Sequence, residues 1–78
     1  MVNLYEDKEG GMIVVKALTY VGPIRAVKVS SGKGKDLVEK TVYNFMMKGG
    51  FQVFQSVDYD SEEDCQEDHG MILSVVAQ

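Results

Sequence analysis

Apolar residues along the chain come in short bursts separated by polar runs, and each burst predicts one element. "MVNLYE" (1–6) and "MIVVKALTY" (12–20) are dense in β-branched and aromatic residues, which predicts two strands of a hairpin with "DKEGG" as its turn. Gly22 and Pro23 then interrupt the chain. "IRAVKVSS" (24–31) predicts a third strand, with Val27 and Val29 on one face and Lys28 and Ser30 on the other.

The pattern changes period at "SSGKGKDLVEKTVYNFMMKGG" (30–50), where a helix is predicted to start at Leu37 and run to Lys48. Asp36 is a suitable N-cap with Glu39 three residues on, and Lys48 followed by Gly49 suits a helix C-terminus. Val38, Val42, Phe45 and Met46 form one apolar stripe at helical spacing, which must face the sheet. Lys40, Asn44 and Lys48 face water. Tyr43 and Met47 fall on the outward side as an i, i+4 pair with no place in the core, and so become candidate contact residues.

"FQVFQSVDY" (51–59) predicts a half-exposed strand with Phe51, Val53, Val57 and Tyr59 on one face. "MILSVVAQ" (71–78) predicts a last strand without charge, proline or glycine. As an edge it would invite a partner strand or a second copy of the chain. The expectation is a single α+β domain, 1–78, in the order β-β-β-α-β-β: an antiparallel sheet of four or five strands with one principal helix across a face.

A chain of 78 residues buries only about 60% of the surface its unfolded state exposes. Association into a homodimer is the natural route to more burial. The single cysteine excludes an internal disulfide and points to a reducing compartment. With neither a signal-like N-terminus nor an apolar run of membrane-spanning length, the sequence predicts a soluble, cytoplasmic protein without a membrane partner.

Charge divides the chain. All eight basic residues lie in the first 48 positions beside five acids, a net of +3, whereas the last thirty residues hold seven acids and no lysine or arginine. The seven acids, the only cysteine and the only histidine all fall within "DYDSEEDCQEDHG" (58–70). Asp58, Asp60, Glu62 and Asp64 occupy alternate positions as in a calcium loop, but Glu63 stands where that loop needs glycine and His69 where it needs a bidentate glutamate. Cys65 and His69 alone cannot close a zinc site, and surrounding carboxylates disfavour a thiolate. Neither a metal nor another cofactor is expected.

Two readings of the acidic run remain. One is a solvated connecting helix, with Ser61 and Asp64 resembling a capping box, acids in the first turn, and His69–Gly70 closing it. The other is a functional surface on which Asp60, Glu62, Glu63, Asp64, Glu67 and Asp68 imitate a phosphate backbone for the basic cleft of a larger, nucleic-acid-binding protein.

In the basic half, "SSGKGKD" lacks the spacing of a Walker loop, and Asp36 would repel a phosphate there. Arg25, Lys28, Lys33 and Lys35 are the candidates for direct nucleic-acid contact, against the plain reading of a solvated lysine-rich turn. No nucleophile, base and metal constellation appears, so a non-enzymatic protein is expected.

The order strand, strand, helix, then "GGFQVFQSV" as a returning strand is similar to that of small phage-encoded inhibitors of host machinery, among them RNA polymerase inhibitors and anti-CRISPR proteins. The resemblance covers residues 12–58 and is one of topology, size and acidity. It implies a single-domain binder without catalysis, acting in a host cytoplasm, and carries over no particular residue.

Overall fold

The computed structural model describes residues 4–32 and 34–77. Strands β1 (Leu4–Glu6) and β2 (Met12–Val14) form the expected hairpin, with Tyr5 opposite Ile13. Its turn is built on Asp7, whose Oδ1 accepts from the N–H groups of Glu9 (3.0 Å) and Gly11 (2.7 Å). Gly10 supplies the positive φ the turn requires, 84°. Alternation sends Tyr5 and Ile13 into the core and leaves Leu4, Met12 and Val14 outside.

The strand predicted over 12–20 is broken. Ile13 and Val15 alternate inward, but Leu18, an odd number of residues beyond Val15, would fall on the opposite face of a continued strand. A 3-10 turn at Val15–Ala17 resolves the conflict by bringing Val15 and Leu18, three apart, to one side, where both are buried. The chain then re-enters a sheet as β3 (Tyr20–Val21).

β4 (Arg25–Ser31) forms where expected, but its partner is a surprise: the segment predicted as a helix is two strands, β5 (Val38–Asn44) and β6 (Met46–Gly49). β4 and β5 pair antiparallel over seven positions, from Arg25↔Asn44 to Ser31↔Val38. The helical reading failed because Val38, Val42 and Met46, spaced by four, share a face in either geometry. Only Phe45 distinguished them, and local capping signals do not outweigh the hydrogen bonds β4 gains from a neighbour. Buried positions change parity between the two strands, from Val42 and Asn44 to Phe45 and Met47. At that step Ser56 Oγ accepts from the Phe45 N–H at 2.9 Å and donates to the Val57 carbonyl.

β6 lies between β3 and β7 (Gln52–Gln55), so the described strands make three small antiparallel sheets instead of one sheet of four or five. β7 is shorter than the strand predicted over 51–59, and its turn leaves Phe51 wholly in solvent and Val53 exposed. Beyond it Tyr59 exchanges backbone hydrogen bonds with Tyr43 on the outer side of β5.

The chain ends in one α-helix, α1 (Glu62–Val76). Ser61 caps it as expected, its Oγ accepting from the Asp64 N–H at 3.1 Å. The helix does not stop at Gly70, and "MILSVVAQ", predicted as a strand, supplies its second half, Gln78 lying outside the described residues. Cys65, Ile72 and Val75 recur at helical spacing on the buried side and join Tyr5, Ile13, Val15, Leu18, Phe45 and Met47 in the core. No free strand edge exists at 71–76. The fold is therefore α+β with, among the described residues, a single α-helix, but that helix lies after the strands and not between them. Among the described residues no helix is long and apolar enough to cross a membrane.

Candidate functional site

The acidic run is held on a rigid base. Tyr59 Oη donates to Asp68 Oδ2 at 2.7 Å and lies 2.8 Å from Tyr5 Oη, which also accepts from the Val57 N–H. A carboxylate only accepts, so the direction of the chain is set: Val57 N–H to Tyr5, Tyr5 to Tyr59, Tyr59 to Asp68. Burial raises the phenol pKa of Tyr59 well above its ordinary range, and the bonds to Tyr5 and Asp68 raise it further. Burial raises that of Tyr5 also. At the next residue after Asp68, His69 Nε2 is 2.8 Å from the Gly22 carbonyl oxygen and must carry a proton to bond it, while the imidazole stands edge-on to Phe45.

These bonds divide the candidate acids. Asp68 is turned onto Tyr59 and half-buried, so of the six candidate acids it is the one engaged by the scaffold through a phenol. Asp60 is exposed and paired with Lys40 Nζ at 3.0 Å. Glu62, Glu63, Asp64 and Glu67 are exposed on the first two turns of α1, and among the described residues no ion pair involves them. The other predicted contact pair does not form. Met47 is fully buried in the core, and Tyr43 is half-buried between β4 and Tyr59, because their segment is strand and not helix.

Cys65 is free and buried beneath this surface. Burial raises its thiol pKa, with the charges of Asp68 and Glu62 adding to the effect, so it is poorly placed as a nucleophile. His69 is engaged by Gly22, and the two do not form a ligand pair. Among the described residues no three histidine, cysteine or acidic side chains converge as a metal group.

The basic candidates are scattered. Arg25 is fastened to Asn44, with Nε and Nη2 at 3.2 and 2.8 Å from Oδ1. Asn44, buried, passes the link to Asp58 through Nδ2 at 3.0 Å, and Lys8 Nζ closes it at 3.3 Å. The Asp58 carboxyl is held below its usual range, first by the Asn44 amide and then by Lys8. Lys28, an odd number of residues from Arg25 on the same strand, points to the opposite face of the hairpin. Lys35 sits in the 3-10 turn Gly34–Asp36 at its tip, and Lys33 lies outside the described residues.

Sequence reasoning missed an apolar groove of ≈ 450 Å³ between the β1–β2 hairpin and the β6–β7 turn, lined in part by Met12, Val14, Leu18 and Phe54. The exposed Phe51 adjoins it. "GGF" was the available signal, since a tight turn at Gly50, φ 62°, leaves the next side chain no cover.

The fold and this surface define a small α+β protein with a charged helical face. No protein-family model matches the chain, and neither a curated protein nor a solved structure does.

Proposed function

We propose that the protein is a non-enzymatic interaction module, an inhibitor that occupies a basic, nucleic-acid-holding cleft of a larger protein with the acidic face of α1. The observation that carries this reading is the set of four exposed carboxylates, Glu62, Glu63, Asp64 and Glu67, which have no ion-pair partner among the described residues, on a helix end fastened by Asp68 and His69. They fall within about 7.5 Å of helix axis, a spacing comparable to the one charge per about 1.7 Å of duplex DNA. Acids in the first turn also stabilise the helix through its dipole, but Glu67, in the second turn, gains little that way. Size and acidity, the parts of the phage-inhibitor resemblance that need no helix at 37–48, agree with this reading.

Affinity capture from cells of the source organism tests it. A protein retained by the chain should be released by added salt and by competing DNA, and lost with the E62Q/E63Q/D64N/E67Q variant. Asp68 is left intact so that the fold is not at issue. Equal retention by that variant would overturn the reading. Salt-dependent retention of the chain itself on DNA would favour the basic residues of the β4–β5 hairpin instead.

A further inference from the structure

The β4–β5 hairpin is a two-stranded arm, and an isolated pair of strands is marginal in water. Every described residue from 30 to 41 is exposed, and Val38 and Leu37 present 59% and 54% of their surface. Among the described residues no strand lies on the outer edge of β4. We propose that a second copy of the chain adds there, β4 against β4 antiparallel about a two-fold axis at Val29, to make one four-stranded sheet.

Backbone geometry says which groups are free. Tyr43 exchanges its N–H and C=O with Tyr59, on the side away from β4, so Ala26, its partner in the register, also turns its own groups outward. By alternation Ala26, Lys28 and Ser30 present free N–H and C=O groups along the edge, while Arg25, Val27, Val29 and Ser31 spend theirs on β5. An antiparallel partner must bond to those three.

Side chains then select the partner and the register. Centring the axis on Lys28 would set two lysines directly opposite, which is destabilising. Centring it on Val29 sets Val29 against its symmetry mate, Val27 against Ser31, and Lys28 against Ser30. Ser30 is small and lies beside Glu39 in β5. Each Lys28 can therefore reach over the mate's Ser30 to the mate's Glu39, two strands away at about 4.8 Å per strand. On the other face Val29 meets its symmetry mate across the axis and Val27 meets the mate's Ser31, with Val42 beside Val27 and Val38 beside Ser31, while Lys40, beside Val29, lies on the outer strand of each copy. The edge is complementary to itself in charge and shape, which is why a second copy is its occupant. This interface is independent of the acidic helix.

Sedimentation across a range of concentrations should show a monomer–dimer equilibrium for the wild type. Ser30→Pro removes an outward N–H that no intrachain bond uses, so it should keep the circular-dichroism spectrum and sediment as a monomer throughout. Val29→Cys should oxidise to a linked dimer, its Cα atoms about 4.5 Å apart across the axis, whereas Ser31→Cys should not. A monomer at every concentration, a dimer indifferent to Ser30→Pro, or preferential linkage through Ser31→Cys would each overturn the proposal.

Discussion

The Tyr59 phenol donates to the Asp68 carboxylate at 2.7 Å, and this bond joins the segment after β7 to the second turn of α1. It fixes the helix whose outer face bears the exposed acids. Tyr59→Phe leaves Asp68 without its phenol donor and the Tyr5 hydroxyl without an acceptor for its proton. The expected loss is about 1–3 kcal/mol of unfolding free energy, read from urea titrations. Pairing Tyr59→Phe with Asp68→Ala in a double-mutant cycle should give less than the sum of the single losses, because both remove the same bond. Strict additivity would mean that the bond contributes nothing.

The same phenol predicts an alkaline limit. Its folded pKa is raised above the unfolded value, so its contribution is complete below about pH 10 and is lost as pH rises beyond that, where the unfolded chain sheds the proton and the folded one retains it. The urea midpoint should fall between pH 9 and 11, and less steeply in Tyr59→Phe. Identical slopes would remove Tyr59 as the cause.

Proline substitutions distinguish the strand at 38–44 from the helix its local signals favour. Val42 opposite Val27 directs its N–H to β4, while Thr41 directs its own to the outer side. Val42→Pro should therefore lower the melting temperature far more than Thr41→Pro. In a helix the two would be similarly disruptive, at about 3 kcal/mol or more each.

Cys65 should be inert in the native protein. It is fully buried and its thiol pKa is raised, so labelling by a disulfide reagent should proceed only through unfolding and follow urea concentration. Rapid labelling without denaturant would place α1 away from the core.

Read alone, the chain determined the features whose causes are local. The β1–β2 hairpin follows from two apolar bursts around an Asp-containing turn that closes on itself. β4 follows from alternation bounded by Gly22–Pro23 and Gly32. The start of α1 follows from Ser61, which satisfies an N–H three residues away. Candidate acids were equally legible, since charge and composition need no partner to be seen. Tertiary structure decided the rest. Residues 37–48 carried signals for a helix and a spacing that suits both periods, and only the presence of β4 as a hydrogen-bonding neighbour selects the strand. Residues 71–76 are apolar in a way that fits a strand or a helix, and the helix wins because Ile72 and Val75 then extend the stripe that Cys65 begins and close the core over Phe45 and Met47. The same choice buried Met47, turned Asp68 inward and left Glu62, Glu63, Asp64 and Glu67 facing out, for burial depends on which distant segment covers a side chain, and no local pattern encodes that.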